Sequence, residues 1–201
     1  MNTLIEFFSF ADPNVRTVVL GSMLLGASAA IVGCFTFLRK RALVGDAVAH
    51  SILPGVCVAY MLSGQKSPFI LLAGAVTAGW LSLLAMDFIV QRTKLKTDTA
   101  IGLVLSVFFG LGILLLTHIQ HSGSAGQAGL DKFLFGKAAS MTRQDVLVFG
   151  ATATVLLLIV LALFKEFKLV SFDPDYARSV GLPVRSLEFT LATITVLAVA
   201  V

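Results

Sequence analysis

Six apolar runs, most of them close to the length of a bilayer crossing, leave this chain few folds. They cover residues 18–38, 42–62, 68–90, 100–117, 146–164 and 187–201. A helix of about 20 apolar residues spans the hydrocarbon core of a membrane. Only 13% of the residues are charged and 57% are hydrophobic, where a soluble domain is about a quarter charged. The expectation is an all-α, polytopic membrane helical bundle with at least six spans, forming one transmembrane domain over 1–201. The sixth run is still apolar at Val201, so the chain is expected to be truncated in or after that span and the domain incomplete at its C-terminus. Residues 1–10 carry Glu6 and no basic stretch, which does not match a cleavable signal. Their Leu4, Phe7, Phe8 and Phe10 suit either a short interfacial helix or a frayed end.

Charge sets the orientation. With the N-terminus outside, the cytoplasmic connections hold Arg39, Lys40, Arg41, Arg92, Lys94, Lys96, Lys165, Lys168, Arg178 and Arg185, against Arg16, Lys66, Lys132, Lys137 and Arg143 on the other side. Ten against five is the asymmetry the positive-inside rule expects for that orientation. The net charge of +4 is therefore no nucleic-acid signal, because the cations punctuate apolar runs and form no patch. Cys34 and Cys57 both lie within apolar runs and make no disulfide framework. Thr97-Asp98-Thr99 before the fourth run reads as a helix N-cap. Asp87, near the inner end of the third, is expected to reach for Arg92 or Lys94 at the interface.

The chemistry concentrates in Gly45-Asp46-Ala47-Val48-Ala49-His50. Asp46 and His50 are four residues apart and share one helix face. Ionisable groups at membrane depth mark function by default, and a carboxylate beside an imidazole is half of a divalent-metal site. Helical rise places Asp46 about 7 Å and His50 about 13 Å beyond Arg41, between the cytoplasmic interface and the midplane. Pro54 has no amide hydrogen, so the His50 carbonyl loses its helical partner. Gly55 follows and loosens the backbone further, and interrupted backbone at this depth is expected to line a wet pathway. Cys57, seven residues after His50, is either a soft auxiliary ligand or a packed hydrophobe. One chain supplies too few ligands for a metal. A second copy across a two-fold axis would bring two carboxylates and two imidazoles, with Gly26, Ala30 and Gly33 of the first run allowing close helix approach.

Several blocks carry a family resemblance. Phe37-Leu38-Arg39, the Gly45–Ser51 block and Leu53-Pro54-Gly55-Val56 resemble the integral-membrane permease of bacterial manganese, zinc and iron ABC transporters. The likeness continues through Thr97-Asp98-Thr99-Ala100-Ile101-Gly102, Phe108-Phe109-Gly110, Leu134-Phe135-Gly136 and Phe172-Asp173-Pro174-Asp175-Tyr176-Ala177-Arg178-Ser179-Val180-Gly181-Leu182-Pro183. The resemblance implies a transport subunit, not an enzyme. It would be a multi-pass protein of the bacterial cytoplasmic (inner) membrane, surrounded by lipid, whose Asp46 and His50 line the metal path. Its partners would be a cytoplasmic ATP-binding subunit, an extracellular or periplasmic metal-binding protein and a second permease copy, either identical or a close homologue. Family members continue past Val201 with further membrane helices. The 129–136 block looks most like the manganese-type branch, so Mn2+ is favoured over Zn2+ or Fe2+ as the transported ion, with no permanently bound cofactor.

The power source lies outside the chain. Gly129 and Gly136-Lys137 are spaced wrongly for a phosphate loop, and Ala138 stands where Ser or Thr is required. The cytoplasmic loop over 165–186 looks built to couple instead. Asp173 is a good N-cap with Pro174 at the first helical position, and Gly181 and Pro183 are stop signals. A helix of about two turns carrying Asp175, Tyr176, Ala177 and Arg178 needs a partner surface to persist. The resemblance makes it the coupling helix. His118 and His121, in the outer loop, are either metal or partner contacts or incidental surface histidines. Residues 122–129 are Gly-, Ser- and Gln-rich and read as a flexible outer gate. The site must release as well as bind, and protonation of His50 competes with metal. Two alternatives remain at this stage. An ion-coupled secondary carrier would not need the 173–183 segment, and an intramembrane metalloenzyme would need a Glu beside its His ligands.

Overall fold

The computed structural model describes residues 13–64, 67–121 and 143–200. Nine helices are described: α1 (Pro13–Leu38), α2 (Leu43–Ser51), α3 (Leu53–Ser63), α4 (Pro68–Arg92), α5 (Thr97–His121), α6 (Arg143–Ala162), α7 (Phe164–Phe172), α8 (Pro174–Ser179) and α9 (Val184–Ala200). The expectations for residues 1–10, 122–129 and 134–136 lie outside the described residues. α2 and α3 together make one span, so five segments are long and apolar enough to cross a membrane: Val15–Leu38, Leu43–Ser63, Phe69–Arg92, Thr97–His121 and Asp145–Ala162. The sixth apolar helix, α9, has 17 residues. The architecture is the expected polytopic helical bundle.

Each turn between helices follows from local chemistry. α1 ends on Lys40, which takes a left-handed φ of 57°. The Arg41 amide then bonds back to the Thr36 carbonyl at 2.9 Å, a six-residue closure that satisfies an orphan carbonyl of the last turn. α2 starts at once, with the Val44 amide on Arg41 O. The Pro54 interruption is one residue long. Ile52 keeps helical dihedrals (φ −73°, ψ −22°), and amide bonds from Ile52 to Val48 O and from Val56 to Ile52 O bridge it. α3 ends on Gly64 in the left-handed region. Thr97 is the first residue of α5. Asp98 sits in its first turn, where the helix amides favour a negative charge.

Packing is organised around a close helix crossing. A Cβ on Gly55 would lie 2.0 Å from Gly74 O, and one on Gly74 would lie 2.4 Å from Gly55 O. The backbones of α3 and α4 touch there, and no side chain fits between them. Gly55 therefore serves the close packing of α3 on α4. Gly26 and Gly33 of α1 have open space around them within the chain, so the close helix approach inside the bundle is made by the second and third spans. On the far side of α3, Leu53, Val56, Cys57 and Tyr60 are buried with Leu116 and Ile119 of α5. A separate apolar cluster joins α1, α6, α7 and α9 through Phe35, Val160, Phe167, Val170, Leu187 and Leu191.

The 165–186 loop holds a helix that the sequence reading missed. In α7, Phe167 and Val170 are buried, and the Phe35 ring meets Phe167 edge-on at 5.8 Å. The spacing Phe164, Phe167, Val170 was its signal. Asp87 also departs from expectation. Its Oδ1 lies 3.2 Å from Arg41 Nη1, so it pairs across to the α1–α2 turn and not with Arg92 or Lys94. Arg92 instead stacks over the Phe88 ring at 5.9 Å.

The crossing predicts a sharp contrast. Gly55→Ala or Gly74→Ala is expected to destabilise the protein by about 3 kcal/mol, the upper end of overpacking costs. Gly26→Ala is expected to be neutral or slightly stabilising, because alanine is the better helix former by up to about 1 kcal/mol. Thermal unfolding in detergent reads the difference.

Candidate metal half-site

α2 turns two faces to different surroundings. Val44, Ala47, Val48 and Ser51 are buried against the bundle. Asp46 and His50 project from the other flank, with side chains 68% and 45% exposed. His50 Nε2 lies 3.7 Å from Asp46 Oδ1, longer than a hydrogen bond and suited to two ligands that flank one ion. The imidazole is held edge-on against the Phe109 ring of α5, with centroids 5.2 Å apart. That contact orients the ring while leaving its polar edge open.

Cys57 does not join this pair. It is fully buried, with Sγ facing the Gly112 carbonyl of α5 at 3.9 Å. Helical spacing put it on the His50 face, but α5 covers that face two turns further on. His118 and His121 stand in the last turn of α5 and not in a loop. His121 Nδ1 is 2.8 Å from Thr117 O. They lie about 14 Å or more along the helix from Phe109 and contribute nothing to the Asp46–His50 pair. No cluster of three or more His, Cys, Asp or Glu side chains occurs among the described residues. Among the described residues Asp46 and His50 alone make up the candidate donor pair.

The 173–183 segment folds as its signals require. Asp173 caps α8, its Oδ1 accepting from the Tyr176 amide at 2.9 Å. Pro174 opens the helix. Gly181 takes φ 85°, and the Leu182 amide closes onto Ala177 O at 3.0 Å. Ala177 is fully buried within the α1–α6–α7–α9 cluster. Asp175 Oδ1 accepts from Arg178 Nη1 at 2.7 Å. Tyr176, Val180 and, at the end of α7, Phe172 are each more than half exposed. A short helix is thus pinned by one alanine and presents an aromatic and apolar outer surface.

Comparison with known proteins agrees with this architecture. Residues 11–201 match the model of the ABC 3 transport family. The chain is 50% identical over 190 residues to the manganese transport system membrane protein MntC of Bacillus subtilis, covering 94% of this chain and 43% of that protein. It is 44% identical over 201 residues to the zinc transport system membrane protein TroC of Treponema pallidum, covering 100% of this chain and 67% of the relative. Among solved structures it is similar to PsaBC from Streptococcus pneumoniae in complex with Fab, with a TM-score of 0.81 and 28% identity over 98% of this chain and 68% of that one. The chain thus spans between about two fifths and two thirds of the length of these relatives. A membrane bundle of this topology, matched by the family model over nearly its whole length, belongs to the ABC 3 transport family.

Proposed function

We propose that the chain forms the membrane-spanning part of an ATP-driven importer of divalent transition metals in the bacterial cytoplasmic membrane. The observation that carries this reading is the exposed Asp46–His50 pair. An ionisable pair on the outside of a membrane helix is costly against lipid. It is relieved when a second copy brings its own Asp46 and His50 to the same axis, giving four donors for one ion. Carboxylate oxygens suit manganese, and imidazole suits zinc or iron. Equilibrium affinity for such donors favours zinc, so preference for manganese rests with the protein that delivers the ion. The relatives named as manganese and zinc transport proteins support both ions as substrates.

The N-terminus lies outside, which places Arg39–Arg41 and α7–α8 in the cytoplasm. There α8 is the docking knob for a separate ATP-binding subunit. A metal-binding protein delivers the ion on the opposite side. Pro54 contributes by leaving the His50 carbonyl free of its helical donor, next to the imidazole.

Two outcomes are expected. In a host lacking its own importers, with the ATPase and binding protein co-expressed, Asp46→Ala and His50→Ala lower manganese and zinc uptake at least about tenfold at matched membrane levels. Even loss of an outer partner of a metal ligand costs that much. Unchanged uptake in both variants would return the pair to a structural role. Separately, Tyr176→Ala, which removes exposed surface and no core contact, lowers co-purification of the ATPase subunit at least about tenfold, as loss of an aromatic anchor worth about 2 kcal/mol would. Retention at the unaltered level would exclude α8 as the docking surface.

A further inference from the structure

One ion pair links parts of the chain that the mechanism above leaves unconnected. Arg39 Nη2 donates to Glu188 Oε1, across 149 positions of sequence. The Arg39 side chain is only 18% exposed and Glu188 39%, whereas in the other cross-helix pair, Arg41–Asp87, the side chains are 43% and 48% exposed. Burial pulls the Arg39 guanidinium below its ordinary pKa, and the Glu188 charge pushes it back up. The charged form of Arg39 is thus supported by its partner.

The positions of the two residues matter more than the strength of the bond. Glu188 lies in the second turn of α9. That helix leaves α8 through the short turn at Gly181, whose backbone is closed by the Leu182–Ala177 and Val184–Leu182 bonds. Arg39 lies directly after α1, with three residues between it and the start of α2 at Leu43. The intervening turn is fixed by the Arg41–Thr36 and Val44–Arg41 bonds, so a displacement of Arg39 is handed to the first turn of α2, which carries Asp46. Beside the pair, between α1, α4 and α9, lies a cavity of about 270 Å³ walled by Trp80, Leu84 and Phe189. Val44 also lines it, on the buried side of α2, so the cavity is separate from the exposed Asp46–His50 flank.

We infer that Arg39 and Glu188 are positioning residues that carry movement of the 173–183 segment to the helix bearing Asp46 and His50. The inference rests on the transport reading above. It assigns to one ion pair the mechanical connection between the ATPase-docking knob and the metal half-site. The Arg41–Asp87 pair acts as the second anchor, holding the α1–α2 turn to α4.

The test uses the assembled transporter in proteoliposomes and measures metal ions moved per ATP hydrolysed. Arg39→Glu and Glu188→Arg each place like charges together, and the double variant Arg39→Glu/Glu188→Arg restores opposite charges in reversed order. Each single change is expected to lower ions per ATP at least about fivefold, the low end of coupling between distant sites, while the protein remains in the membrane. The double variant is expected to recover most of that loss. Single variants that lose uptake only in proportion to membrane level, with ions per ATP unchanged, would overturn the inference and make the pair a packing contact. A double variant no better than the singles would overturn it as well. If the unaltered transporter moves no metal on addition of ATP, the transport reading itself fails and takes this inference with it. ATP-driven transport with indifferent variants sinks the inference alone.

Discussion

Helices surrounded by lipid gain little by hiding apolar side chains from one another, because lipid tails are as apolar as leucine. What holds them together is close approach and the few polar contacts that lipid cannot replace. In this chain the close approach is the Gly55–Gly74 crossing, where the backbones of α3 and α4 meet with no room for a methyl group. Much else follows from it. With α4 against one side of α3 and α5 against the other, Cys57 and Tyr60 are enclosed. The outer flank of α2 is the face left over, and Asp46 and His50 stand on it. The exposure of the half-site is thus a consequence of how tightly the opposite side is packed.

The features that could be read from sequence are those set by neighbours along the chain. Apolar run length located the five segments long enough to cross a membrane to within a few residues, because a bilayer imposes one dimension on all of them, while the sixth run became a helix of 17 residues. The Asp173-Pro174 start and Gly181 stop of α8 were legible for the same reason, since a cap and a left-handed glycine act within one turn. The Asp46–His50 juxtaposition needed only the 3.6-residue repeat. What escaped depended on residues far away in sequence. Asp87 was matched with cations close to it in the chain, yet its partner Arg41 is 46 positions earlier. Cys57 has the right phase for the His50 face, but α5 covers that face at its level. Gly55 reads as loosened backbone beside a proline until the glycine facing it on α4 is known. α7 was hidden inside an apparent loop because its buried stripe is only two residues, Phe167 and Val170.

Charge is distributed with similar economy. The cross-helix ion pairs Arg39–Glu188 and Arg41–Asp87 both sit where α1 turns into α2. A partly buried pair of this kind adds little net stability over an apolar contact of the same shape, yet losing one partner leaves an uncompensated charge and costs about 3–5 kcal/mol when fully buried. Such a contact is poor glue and good registration. It favours one relative placement of α1 and α9 over the others, which an interchangeable apolar surface does not do.

On the two-copy arrangement proposed here, this registration bears directly on release of the ion. A site enclosed within one rigid bundle would have to weaken its own donors to let the metal go. A site divided between copies weakens when its halves separate, with no change inside either half. The exposed placement of Asp46 and His50, the edge-on support of the imidazole by Phe109 and the three-residue turn to Arg39 then form one design. The imidazole is oriented within each chain, and in that arrangement the distance between chains is the variable that sets affinity. A pathway must bind strongly enough to strip water from a divalent ion and weakly enough to pass it on. Two preorganised halves on movable bodies satisfy both requirements with a single displacement.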